Sequence, residues 1–218
     1  MNRPSQTMEW DFHGPAGEAL LETVHRLTLV AQYRDEGAHS HCRRVRFYTE
    51  LVANRLGISG IDAGIMTFSS PMHDIGMVAI PDSILLKPER LTAEEFELMK
   101  THTTIGGKIL GDSDNPYLVS AGKFAVSHHE RWDGSGYPLG LIGERIPIEG
   151  RIMYLVDKYD TLRSRRPYKP PFQHEASVLI ITRGNYNTRP EHFDPDILDI
   201  FASCDKDFRE IFDSNPTV

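Results

Sequence analysis

The chain has 218 residues, enough for one ordinary domain with a substantial core. Hydrophobic residues make up 39% and charged residues 25%, and a net charge of −7 with a pI near 5.8 argues against a general nucleic-acid coat, so no DNA or RNA polymer is expected as partner. There is no run of about 18 apolar residues and no basic start leading into an apolar stretch, so neither a membrane span nor a secretory signal is expected; Cys42 and Cys204 give no disulfide framework, which makes a reducing, cytoplasmic setting the default.

Residues 1–15 are polar, carry Pro4, Gly14 and Pro15, and read as a linker or disordered start; the domain proper is expected over 16–213. From Ala16 to Arg34 the apolar positions Leu20, Leu21, Val24, Leu27, Val30 and Ala31 recur at helical spacing. A second helix is predicted from about Ala38 to Leu56, with Val45, Tyr48, Leu51, Val52 and Leu56 inward and Gly57 ending it. Ile61 to Ile75 reads as one buried helix closed by His73 and Asp74. Thr92-Ala93-Glu94-Glu95 is a capping box opening a helix that leads to His102. Residues 116–129 predict a helix ending in His128-His129, and Trp132 to Pro138 is turn chemistry throughout. Ile148 to Leu162 predicts an amphipathic helix bearing Asp157, and two more helices fall near 173–183 and 195–212. Strand-like alternation is almost absent, so the fold class is all-α.

Five of the ten histidines belong to one set: His41, His73, His102, His128 and His129, with Asp74 and Asp157 alongside. Imidazole and carboxylate ligands on several helices suit a cage for two transition metals; without thiolate they suit iron and manganese alike and are compatible with zinc, with iron expected first and manganese next. Consecutive helical side chains diverge by about 100°, so His73-Asp74 and His128-His129 can each serve two ions from a helix end. Asp74, with two oxygens, is the natural bridge, and His73-Asp74 is the expected catalytic pair. Two metals about 3.5–4 Å apart can hold a hydroxide for in-line attack on a phosphoester. Arg163, Arg165, Arg166 and Lys169 form a basic island suited to an anionic substrate. Glu130 and Asp160 are expected to orient the histidines, Asp133 reads equally as such a group or as a turn former, and His13, His25, His174 and His192 read as structural.

His73-Asp74-Ile75-Gly76, Ile80-Pro81-Asp82, His102, His128-His129-Glu130-Arg131-Trp132-Asp133-Gly134-Ser135-Gly136-Tyr137-Pro138, Asp157 and Arg166-Pro167-Tyr168-Lys169 together resemble the HD-GYP domain, in the family's order and from about residue 16 to 212. The resemblance implies a helical bundle of the HD/HD-GYP type with a dinuclear metal centre held by His41, His73, Asp74, His102, His128, His129 and Asp157. It implies a phosphodiesterase that hydrolyses cyclic di-GMP to linear pGpG, or on to GMP. Tyr137, Pro138, Arg166 and Lys169 fall at the family's substrate-contact positions, and Arg131 is a further cation for the substrate. Signalling proteins at the GYP loop and a homodimer are compatible with the same resemblance.

Two positions depart from the family pattern. Met77 stands where the family usually has a lysine, which removes one charge-assisted phosphate contact of about 1.5–3 kcal/mol. Gly37 stands where three-metal members carry a glutamate, so two metals are expected unless Glu36 or His39 takes that place. Met77 leaves two alternatives beside the leading reading: a catalytically impaired cyclic di-GMP-binding module, and an HD phosphohydrolase for another nucleotide.

Overall fold

The structure is a computed structural model, and it describes residues 19, 22–23, 26–30, 38–165 and 170–216. Among these, every regular element is helical, in agreement with the all-α expectation. The expected first helix is helical at the residues described within it, 19, 22–23 and 26–30; its remainder, and Gly37, lie outside the described residues. Among the described residues no helix is long and apolar enough to cross a membrane.

Helix α1 (Ala38–Arg55) buries Val45, Tyr48 and Val52 along one stripe. It ends where Gly57 takes φ +74°, a left-handed turn that a side chain would resist. Ser59 then caps α2 (Gly60–Ser69), its hydroxyl oxygen accepting from the Asp62 N–H.

The predicted single helix over 61–75 is corrected here. Regular α-helix stops at Ser69, and a 3-10 segment, Ser70–Ala79, carries the His73-Asp74 pair. Pro71 supplies the physical reason: it has no N–H for the carbonyl four residues back, and the chain tightens into the narrower helix. That segment lies hard against α4 (Ala93–Leu110): a Cβ on Gly76 would sit 1.9 Å from the His102 carbonyl oxygen and 2.6 Å from the Gly106 nitrogen. Only glycine permits this approach, and the approach sets Asp74 beside His102.

A short helix α3 (Asp82–Leu85) precedes α4, which opens on the predicted capping box: Thr92 accepts from the Glu95 N–H, and the Glu95 carboxylate accepts from the Thr92 N–H. Helix α5 (Pro116–Ser127) is capped by Asn115 and stops one residue before the histidine pair, with His128 as its C-cap. Helix α6 (Ile148–Arg163) is buried on nearly all sides through Ile152, Met153, Leu155, Val156 and Tyr159, which marks it as the central element. It packs against α1, α5, α7 (His174–Arg183) and α8 (Pro195–Ser203).

The single helix expected near 195–212 is two. Cys204 leaves helical geometry at φ −130°, ψ 27°, and α9 (Asp205–Ser214) restarts with Asp205 and Asp207 in its first turn, where acidic side chains favour a helix N-terminus. The break leaves Asp205 able to meet His174, whose Nε2 lies 2.9 Å from its carboxylate. Tyr159 hydroxyl meets the other ring nitrogen at 2.9 Å, so His174 ties α6, α7 and α9 together as the structural histidine it was read to be.

Candidate metal centre

Five segments bring their His and Asp side chains to one place: α1 supplies His41, the 3-10 segment His73 and Asp74, α4 His102, the end of α5 His128 and His129, and α6 Asp157. Two donor groups result. Ligand-type atoms of Asp74, His102, His128 and His129 lie within 4.8 Å of one another, and so do those of His41, His73 and Asp74. Asp74 belongs to both. Asp157 borders the second group, its Oδ1 3.9 Å from His41 Nε2.

The orientation of each ring follows from what its other nitrogen touches. His73 Nδ1 lies 2.9 Å from the Ser70 carbonyl oxygen, His102 Nδ1 2.7 Å from that of Met99, and His128 Nδ1 3.0 Å from those of Phe124 and Ala125. A carbonyl only accepts, so each Nδ1 carries the hydrogen and each Nε2 of a neutral ring turns a lone pair inward. His41 reaches the same state differently: its Nδ1 donates to the Asp160 carboxylate at 2.8 Å.

These lone pairs face one another. His102 Nε2 and His128 Nε2 are 3.2 Å apart, and both lie within 3.4 Å of Asp74 Oδ1. His73 Nε2 is 3.3 Å from Asp74 Oδ2. Yet His73 Nε2 and Asp74 Oδ1 are buried without a hydrogen-bond partner. Acceptors that converge and go unsatisfied call for positive charge between them. Burial works against charge on His73, but the Asp74 carboxylate beside it outweighs burial and pushes the imidazole up to about 9, so Nε2 of the free protein takes a proton where a cation would otherwise sit. Burial would raise the Asp74 carboxyl, but His73 and His128 hold it well below the usual range. Burial lowers His102 and His129, reinforced at His129 by the neighbouring imidazoles. The donor set therefore fits divalent cations with mixed imidazole and carboxylate ligands.

The loop after His129 closes one side. Tyr137 stacks on His129 with ring centroids 4.7 Å apart at 27°, and Lys100 Nζ lies 5.5 Å from the Tyr137 ring centre. The Tyr137–Pro138 bond is cis. Arg131 stays on this loop, Nη1 donating to Ser135 Oγ at 3.3 Å. Glu130, expected to orient a histidine, does something else: its carboxylate accepts from the Leu139 and Leu141 N–H groups at 2.7 and 3.0 Å and so fixes the loop. Asp133 serves as a turn former, accepting from Ser135 and pairing with Arg189. Asp160 does orient His41.

Of the basic island, Arg163 turns toward α9, donating to the Tyr159 hydroxyl at 2.9 Å and to Asp213 at 3.0 Å. Arg166 and Lys169 lie outside the described residues. Sequence reasoning missed Arg44. Next to Arg43 on a polar stretch it reads as a solvated cation, and its spacing three residues after His41 was the available signal; in the structure it is buried against Asp160.

An HD domain family model matches residues 25–197. A cyclic di-GMP phosphodiesterase of Thermotoga maritima is 40% identical over 193 residues, covering 88% of this chain and 51% of that protein. The cyclic di-GMP phosphodiesterase response regulator RpfG of Xanthomonas campestris pv. campestris is 42% identical over 178 residues, covering 82% of this chain and 46% of its own. The chain thus spans about half the length of these curated relatives. A solved HDG"Y"P protein, Bd1817 of Bdellovibrio bacteriovorus, shares the fold with a TM-score of 0.55 at 19% identity, over 74% of this chain and 51% of that one.

Proposed function

Because the chain belongs to the HD domain family, we propose that it is a metal-dependent phosphodiesterase that cleaves cyclic di-GMP to linear pGpG, or to GMP after a second cut. The observation that supports this most directly is Asp74, shared between two groups of inward-facing imidazole lone pairs. In this reading His41, His73, Asp74 and Asp157 would hold one divalent ion, and Asp74, His102, His128 and His129 the other. Iron is the first choice and manganese the second. The functional unit runs over 16–213, works in the cytoplasm, and has the cyclic dinucleotide as its partner.

Two such ions, when bound, supply Lewis acidity to a phosphoryl oxygen and lower the pKa of water. The chain does the rest. Backbone carbonyls of Ser70, Met99, Phe124 and Ala125 fix the rings so that no reorientation is needed at the moment of reaction. Tyr137 walls the site and offers a face to a base, while Pro138 shapes the same turn. Arg131, Arg166 and Lys169 supply cations for the phosphates and guanines.

The test is turnover by protein reconstituted without air with Fe²⁺ or Mn²⁺. A panel of cyclic dinucleotides is offered, and products are separated by chromatography alongside metal analysis. Release of pGpG or GMP from cyclic di-GMP is expected. Preference for another cyclic dinucleotide would replace the substrate, and a metal-loaded protein inert toward the whole panel would end the proposal. Met77 motivates a second reading, a cyclic di-GMP-binding module without turnover. It predicts tight binding with no product from wild type, and measurable hydrolysis in Met77→Lys.

A further inference from the structure

Three of the inward-facing imidazoles lean on carbonyl oxygens of their own local turn, whereas His41 leans on a side chain of another helix, Asp160 of α6. Asp160 is in turn gripped by Arg44, whose Nε donates to Oδ1 at 2.5 Å and whose Nη2 donates to Oδ2 at 2.9 Å, a two-pronged fork that leaves the carboxylate no freedom to rotate. Arg44 has its own anchors. Nη2 also reaches Ser164 Oγ at 3.2 Å, Nη1 donates to the Asn215 carbonyl at 2.9 Å, and the guanidinium lies 4.7 Å from the centre of the Phe212 ring. Its side chain is 1% exposed, so no outside ligand competes for these four hydrogen bonds.

A buried guanidinium needs partners on all sides, and those from α6 alone would not satisfy it. The end of α9 supplies the remaining acceptor and an aromatic face. His41 is thus braced from a distance, through a relay that runs from Asn215 to Arg44 to Asp160.

We infer that Arg44 is a positioning residue for His41: through Asp160 it fixes the imidazole so that Nε2 faces Asp157 and the Asp74 side of the centre, making the ion site of His41 and His73 dependent on a residue that touches no ion. This rests on the two-ion reading above. The other site, of His102, His128 and His129, has no link to Arg44 among the bonds described and stays as it is.

Calorimetric titration of metal-free protein with Mn²⁺ tests the inference with a readout other than activity. Wild type is expected to take two ions per chain. Arg44→Gln and Arg44→Lys should each weaken one ion by about 10–100-fold and leave the other at wild-type affinity, the range seen when a residue behind a metal ligand is lost. Lysine keeps the charge but cannot make the two-pronged contact, so it does not rescue. Circular dichroism and the unfolding midpoint establish folding; if Arg44→Gln does not fold, Arg44→Lys decides alone. Unchanged binding of both ions, or equal weakening of both, overturns the inference. Failure of wild type to bind any ion would overturn the two-ion reading itself, and the role of Arg44 with it.

Discussion

Asp74 carries more of the chemistry than any other side chain, because both donor groups end on its two oxygens. Asp74→Asn keeps the shape but halves the acceptor capacity and removes the charge. Hydrolysis of cyclic di-GMP should fall at least ~1,000-fold, which is about 4 kcal/mol of lost transition-state stabilisation. Metal analysis of the same preparation should show fewer than two ions; full turnover in the folded variant would remove Asp74 from the centre. At this scale the sequence was informative for a physical reason. Adjacent ligand pairs are rare by chance, and a histidine set with two aspartates has few other uses. What stayed hidden were the residues behind the ligands. Glu130 and Asp160 look alike in sequence, yet one fixes a loop and the other a histidine, because the difference depends on which helix lies across from each.

Among the elements, α4 and the 3-10 segment decide where His102 and Asp74 meet. Gly76→Ala would press a methyl into the His102 carbonyl and the Gly106 nitrogen, both backbone and unable to swing aside. A loss of about 1–3 kcal/mol in urea unfolding is expected, with weaker metal binding, since the segments must part. Metal binding undiminished in Gly76→Ala would show that the close approach is dispensable. At the other end of α4, Thr92→Ala should cost about 1 kcal/mol by removing the cap. Lys87 first, and the Thr92 N–H second, hold the Glu95 carboxyl below its usual value. The folded form is therefore favoured while Glu95 is ionised: the contribution is present above the ordinary glutamate pKa and is lost as pH falls below it. Unfolding curves of wild type and Glu95→Gln should converge on acidification and separate near neutrality. The capping box was legible because it is a purely local pattern, three residues apart. The change from α to 3-10 at Ser70 was not, since apolar spacing over 61–75 fits a continuous helix and only Pro71 hinted otherwise.

For the molecule as a whole, the candidate centre joins five segments from α1 to α6, so bound ions would act as a cross-link among stretches far apart in the sequence. Chelation should lower the thermal midpoint, and Mn²⁺ in hundredfold excess over its Kd should restore about 2.7 kcal/mol per ion. A midpoint indifferent to chelator would mean that the donors converge without holding anything. The all-helical architecture and part of its core were readable from periodicity, as Val45, Tyr48 and Val52, expected inward on α1, show by their burial. The meeting of Arg44 with the end of α9 was not, because 171 residues separate them and no local pattern reports such a contact. That contact has a practical consequence. Any cut that removed Asn215 would strip its backbone oxygen from the Arg44 guanidinium, and a loss just past the end of α9 would be felt at His41.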